Sequence, residues 1–187
     1  FTIETENIPI TVLKLIEKNK KIFPCSRIVE IAQNRLKEKK FLNSIKGVKT
    51  AEFEKIDNYS KLKKIYKLFG EVGILKSCEM GYDGKGQYLI NDKNINNFKN
   101  YDLNGYILEK LLDFKKEISV IICCSKKNTV IYPPVENIHK SSILRESIYP
   151  ARINNKIKNK AILLAKKIAT KLKLKGILAI EMFLMKD

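Results

Sequence analysis

A glycine-rich segment set between two short apolar runs constrains the fold of this chain more than any other feature. Residues 72–76, Val-Gly-Ile-Leu-Lys, read as a strand, and residues 88–90 read as a second one. Gly81-Tyr82-Asp83-Gly84-Lys85-Gly86-Gln87 lies between them. The loop therefore joins strand to strand. A Walker loop or a dinucleotide-binding glycine turn opens a helix instead, so neither of those phosphate-binding folds fits. Glycine lets backbone N–H groups approach an anion closely, and Lys76 stands on the strand just before the loop. The same pattern also suits a plain hairpin turn, so on its own this segment leaves both readings open.

The rest of the chain mixes helices and strands without strict alternation. Residues 1–6 alternate like the end of a strand, Pro9 opens a helix over 10–21, and Pro24 marks a break. Ser26 is expected to cap a helix reaching about residue 45, with Ile28, Ile31, Ala32 and Leu36 at helical spacing. Ser60 starts a third helix over 61–69, ended by Gly70. Strands follow near 106–109, 117–124 and 129–132. A helix over 155–174 then puts Ile157, Ala161, Leu164, Ala165, Ile168 and Leu172 on one face; Gly176 ends it, and a strand over 177–184 closes the chain. This order indicates an α+β fold rather than a doubly wound parallel sheet.

The chain carries 37 Lys and Arg against 20 Asp and Glu, a formal charge of +17. Basic proteins of this kind often bind nucleic acid. Here the lysines are spread along the whole chain among abundant Ile and Asn, as an AT-rich coding sequence produces, and no basic helix or aromatic stacking run accompanies them. Compositional bias is the favoured reading, a basic surface for small anionic substrates comes second, and nucleic acid last. Hydrophobic residues make up 44%, enough for a packed core. No apolar run approaches the roughly 20 residues of a membrane span. Cys25, Cys78, Cys123 and Cys124 form no C-x-x-C pair and the chain has one histidine, so free thiols in a reducing cytoplasm are expected and a zinc site is not. The chain begins with Phe1 rather than Met and stops at Asp187 where a strand would turn, so both ends are expected to be cut.

Four further residues are candidates for chemistry. Glu109 and Glu117 flank a turn near Asp113 and Phe114. The segment after Glu109 could offer backbone groups to an adenine edge with a carboxylate near ribose hydroxyls, or it could be a surface hairpin with solvated glutamates. His139, in Glu136-Asn137-Ile138-His139, sits among polar residues and is read first as a satisfied structural histidine. Glu181 is a carboxylate within an apolar strand; burial there demands a partner, either a magnesium ion or a lysine or arginine.

Taken in order, these segments resemble the successive motifs of the N5-carboxyaminoimidazole ribonucleotide synthetases, enzymes of purine synthesis with the ATP-grasp fold. The resemblance runs through Leu75-Lys76, the loop from Gly81 to Gln87, Glu109 to Glu117, Glu136 to His139, Ile143-Leu144-Arg145 and Glu181-Met182-Phe183. Asn34-Arg35-Leu36, Lys39 and the opening Thr2 to Pro9 also match. It implies the end of an N-terminal α/β domain over 1–25 and an ATP-grasp domain over 26–187, with about 72–110 as its small lid. It implies Arg35 and Lys76 on ATP phosphates, with Gly81, Tyr82, Asp83, Gly84, Lys85, Gly86 and Gln87 closing over the nucleotide. Glu109, Lys110, Leu111 and Leu112 would hold adenine, Glu117 the ribose, and His139 would lie near the phosphates. Tyr82, Asp83 and Lys85 would also meet the ribonucleotide, as would Glu6, with Glu4 its alternative. Glu181 would bind Mg2+, and Lys76, Lys85 and Glu181 would act on the reacting groups.

The implied activity is the carboxylation of 5-aminoimidazole ribonucleotide by ATP and bicarbonate through carboxyphosphate, in a cytoplasmic homodimer. Two family segments are missing: the Gly-x-Gly-Gln-Leu-Gly motif of the first domain and the second metal carboxylate beyond the last strand. The chain alone is therefore expected to be inactive or nearly so. The alternatives are another ATP-grasp ligase, such as a formate-dependent glycinamide ribonucleotide transformylase or a biotin carboxylase, a non-catalytic nucleotide-binding remnant, and a basic nucleic-acid-binding module.

Overall fold

Local sequence sets most of the helix starts, through asparagine. The structure, a computed structural model, describes residues 1–3, 5, 7–79, 86–140 and 142–186. Helix α1 (Ile10–Glu17) follows Pro9 and is shorter than expected. The single helix expected from Ser26 is two, α2 (Ser26–Gln33) and α3 (Arg35–Asn43). Asn34 lies between them in extended backbone, and its side chain accepts the Lys37 N–H at 3.0 Å, which closes one helix and caps the next. Ser26 does not act as a cap. It is the first helical residue, and Glu17 accepts both its N–H, at 2.8 Å, and its hydroxyl. Asn58 caps α4 (Tyr59–Leu68) and Asn154 caps α5 (Asn155–Leu172) in the same way as Asn34.

Two antiparallel sheets follow. The first contains β1 (Phe53–Ile56), β2 (Gly73–Ser77), β3 (Gln87–Ile90) and β4 (Tyr106–Lys110) in the order β1-β4-β2-β3. Strand β1 escaped the sequence reading, and it brings into this sheet a segment ahead of residue 72. Helix α4 covers one face, where Leu62, Ile65 and Tyr66 pack with Leu75, Ile90 and Leu108. The second sheet is built around the long β5 (Phe114–Cys124). Along one edge it pairs with β9 (Gly176–Met185), and along the other with β6 (Thr129–Ile131) and β7 (Val135–Lys140). Strand β8 (Ile143–Ile148) pairs with β7. Helix α5 covers this sheet, with Ala161, Ala165, Ile168 and Leu172 against Ile118, Val120, Ile122 and Ile180. Phe41 and Leu42 of α3 join that larger core. A third cluster ties Ile3, Ile8, Ile10, Leu13 and Ile16 to Ile22 and Val29.

Two local expectations need correction. Gly176 does not end α5. Lys173 does so, in left-handed backbone at φ +54°, with the Leu174 N–H on Ala169 O at 2.9 Å. Gly176 instead opens β9 at φ +113°, where a Cβ would stand 2.9 Å from the Pro24 nitrogen, so the close approach of that chain requires glycine. The turn between Glu109 and Glu117 is not a hairpin either. Strands β4 and β5 lie in different sheets, so residues 111–113 cross from one sheet to the other.

Candidate nucleotide site

The face of the first sheet left uncovered by α4 carries charge. Ile74 is registered opposite Glu109, and Lys76 opposite Ile107, so Lys76 and Glu109 are diagonal neighbours on one face. Lys76 Nζ lies 3.0 Å from Glu109 Oε2. The other oxygen, Oε1, lies 3.2 Å from Lys39 Nζ, which arrives from α3. Burial pulls the Lys39 ammonium below the usual lysine range, and the Glu109 charge opposes that pull. Glu109 is 5% exposed, so it is no solvated surface glutamate, and its carboxylate is occupied by the two lysines rather than open to ribose hydroxyls. Ile74 and Ile107 give the same face an apolar floor. Lys39 matched a family helix by residue type, but nothing in its sequence neighbourhood assigned it to this cluster.

The end of β2 is moored to α3. The Arg35 N–H donates to Cys78 O at 2.9 Å and its guanidinium to Ser77 O at 2.7 Å; Asn34 Nδ2 donates to Glu79 at 2.8 Å. Arg35 thus stands beside the strand that carries Lys76. Just before the return strand β3, Gly86 adopts φ +67°, and a Cβ there would clash with the Ser77 hydroxyl. Gln87 is registered opposite Lys76. The expected loop residues Gly81, Tyr82, Asp83, Gly84 and Lys85 lie outside the described residues, as do Glu4 and Glu6.

The second sheet supplies the opposing carboxylates. Side chains on β5 alternate, sending Ile118, Val120 and Ile122 into the core and Glu117 and Ser119 to the other face. Ser119 is registered opposite Glu181, and Glu117 opposite Asn137, so these groups share the open face. His139 Nδ1 approaches Glu117 Oε2 to 2.6 Å. By distance this is an ion pair when the imidazole is protonated; Nδ1 makes no hydrogen bond among the described residues. His139 is therefore tied to a carboxylate at the site. A bulge between Ile138 and His139 re-aims the end of β7.

Burial raises the Glu117 carboxyl above the usual range and the nearby Glu181 charge adds to this, while His139 and Lys76 oppose it. Glu117 thus feels Lys76 of the other sheet as well as His139 and Glu181 of its own. Glu181 corrects the sequence reading. It is exposed on the open face while its neighbour Ile180 is buried, and no described lysine or arginine is ion-paired with it. Among the described residues it therefore has no cationic partner. Two adjoining carboxylates, Glu117 and Glu181, are the donor type that a hard divalent cation takes. Glu181 also lines a cavity of 830 Å³ together with Arg35, Asn34, Lys37 and Glu79.

Of the adenine candidates, Lys110 gives its N–H to Glu52 O at 2.9 Å and its ammonium to the Glu52 carboxylate at 3.2 Å. Leu111 is exposed and Leu112 half-buried, both in the crossing between the sheets. The four cysteines are free. No helix among the described residues is long and apolar enough to cross a membrane.

The profile described as ATP-grasp domain matches residues 41–187. The chain is 37% identical over 190 residues to the N5-carboxyaminoimidazole ribonucleotide synthase of Bacillus subtilis, covering 100% of this chain and 50% of the relative. It superposes on the crystal structure of the ADP complex of an N5-carboxyaminoimidazole ribonucleotide synthetase with TM-score 0.90 and 36% identity, over 98% of this chain and 49% of the other. A synthase from Aspergillus clavatus, in complex with ADP and 5-aminoimidazole ribonucleotide, gives TM-score 0.85 at 27% identity, over 100% of this chain and 49% of the other. The chain spans about half the length of these relatives.

Proposed function

The chain belongs to the ATP-grasp family, and from that premise we propose that it forms the nucleotide-binding part of an N5-carboxyaminoimidazole ribonucleotide synthetase. The reaction of the whole protein is the carboxylation of 5-aminoimidazole ribonucleotide by bicarbonate, with ATP converted to ADP and phosphate. The observation that carries this reading is a buried carboxylate on one sheet, Glu109, paired with Lys76 and Lys39, and Glu117 on the other sheet, with His139 at 2.6 Å and Glu181 on the same face.

In this proposal the nucleotide lies between the two open faces. Ile74 and Ile107 floor the adenine end, and the backbone of 109–112 meets the base edge. Lys76 and Arg35 take the phosphates, His139 stands near them, and Glu117 faces the ribose. Loop residues 81–87 close over the nucleotide and the ribonucleotide, with Lys85 among the groups that meet the reacting atoms, and Glu6 faces the aminoimidazole. Glu181 would hold Mg2+, which when bound neutralises charge on the phosphoryl group. A bicarbonate oxygen attacks the γ-phosphorus, the bond to the β–γ bridging oxygen breaks, and carboxyphosphate and ADP result. The substrate amine then attacks the carboxyphosphate carbon and releases phosphate, losing one proton. Lysine and arginine act here by position and charge, which is the main contribution in phosphoryl transfer. Carboxyphosphate hydrolyses readily, so a glycine loop able to close and exclude water suits this chemistry.

The test has two parts. Titration calorimetry on the 187-residue chain should detect binding of Mg-ATP. A chimera carrying this segment in place of the matching half of the Bacillus subtilis relative should release ADP only when aminoimidazole ribonucleotide and bicarbonate are both present. ADP release indifferent to aminoimidazole ribonucleotide would refute the assignment of substrate.

A further inference from the structure

The buried trio on the first sheet holds one cation more than its anion needs. Glu109 offers Oε1 to Lys39 at 3.2 Å and Oε2 to Lys76 at 3.0 Å, and the three side chains are 7%, 11% and 18% exposed in that order. Lys39 does not belong to the sheet. It reaches across from α3, whose Phe41 and Leu42 pack in the other core, and its ammonium stands 5.6 Å over the Phe53 ring. In a site this dry, a carboxylate with a single counter-ion holds it tightly. A carboxylate divided between two ammonium groups holds each more weakly and leaves surplus positive charge on the site face.

We propose that Lys39 is a positioning residue for nucleotide binding: by occupying Oε1 of Glu109, it keeps Lys76 available to the polyphosphate. The proposal rests on the reading of Lys76 as a phosphate ligand. Without Lys39, the full charge of Glu109 falls on Lys76, which must give up that carboxylate before it can meet a phosphate. Without both Lys39 and Glu109, the carboxylate bonded to Lys76 is gone and its ammonium is released toward the polyphosphate. Lys39 and Glu109 therefore act as a unit, and their effects on affinity do not add.

Calorimetry of Mg-ATP binding to the full chain tests this, with wild type, Lys39→Met, Glu109→Gln, the double variant and Lys39→Arg. Lys39→Met should weaken ATP binding about tenfold, the factor for a charge-assisted contact of about 1.4 kcal/mol. Adding Glu109→Gln to it should restore affinity about threefold or more, and Lys39→Arg, which keeps the charge, should bind within about threefold of wild type. A purely structural Lys39 predicts the reverse: losses that add, with the double variant weaker than either single one. That result, or Lys39→Met binding like wild type, overturns the proposal. Should Lys39→Met fail to fold, Lys39→Gln against Lys39→Arg gives the same two outcomes. A wild-type chain that does not bind ATP removes the nucleotide reading and the role of Lys39 together, whereas wild-type binding unaffected at Lys39 removes the role of Lys39 alone.

Discussion

Substituting glutamine for Glu136 removes one negative charge and almost no volume. Glu136 lies on β7, three residues before His139, and is 5% exposed. It accepts from Arg152 Nε at 3.0 Å, Arg152 Nη2 at 2.6 Å, the Arg152 backbone N–H at 3.2 Å and Lys116 Nζ at 2.9 Å. The hydrogen bonds from Arg152 are the main reason its carboxyl falls from 4.5 to about 2. A fall of that size corresponds to about 3.4 kcal/mol of native-state stabilisation as an upper bound. The Arg152 side chain is 60% exposed, so solvent screening discounts this to about 2 kcal/mol. The folded value is depressed, so this stabilisation is complete above the unfolded value of 4.5 and is lost as pH falls through about 2. Urea unfolding of wild type and Glu136→Gln at a series of pH values measures it directly. The variant should be less stable by about 2 kcal/mol at pH 7, and the gap should shrink steadily below pH 4.5. A gap constant from pH 7 to pH 3, or one below about 0.5 kcal/mol at pH 7, would show that the network does not prefer the charged carboxylate.

Three further outcomes test the site and the scaffold. Glu181→Gln removes a charge that helps raise the Glu117 carboxyl, so an NMR titration of that carboxyl should move down toward the ordinary glutamate range; no movement would mean the two groups do not face each other. Asn34→Ala removes the cap of α3 and the bond to Glu79, and thermal or urea unfolding should record a loss of about 1 kcal/mol, or more where the strand end loosens with it. Gly176→Ala forces a Cβ toward Pro24 in left-handed backbone and should destabilise by about 2–4 kcal/mol in the same assay, whereas a loss under about 0.5 kcal/mol would contradict the close approach.

Much of the candidate site was legible before any coordinates. Lys76 near the end of a strand, Glu117 and Glu181 on separate strands, and His139 in a polar tract were all identifiable by residue type and order. Elements with a strong local signal also came through: α5 by its apolar stripe, and the two strands around the glycine loop. Other elements did not. Strand β1 is four residues long with a single buried side chain, Ile56, too short for an alternation to register. Strand β8 reads Ile-Leu-Arg-Glu-Ser-Ile and is exposed along most of its length, so it has no buried face to leave a period. The break at Asn34 was hidden because apolar spacing continues across it; an asparagine three residues before the Lys37 N–H it caps was the available sign.

The sequence by itself determined which residue types stand at the ends of which strands, because strand periodicity, asparagine caps and glycine placement are local properties of the chain. Tertiary structure alone decided that residues 111–113 cross between sheets, and that Glu109 is a shared buried anion rather than a surface group. It also brought Lys39 of α3 to Lys76, at distances along the chain that no local pattern encodes. The physical reason is that an ion pair depends on distance and dielectric. Both are fixed only when two separate cores have formed, one under α4 and one under α5, with α3 packed in the second and its Lys39 reaching the sheet of the first.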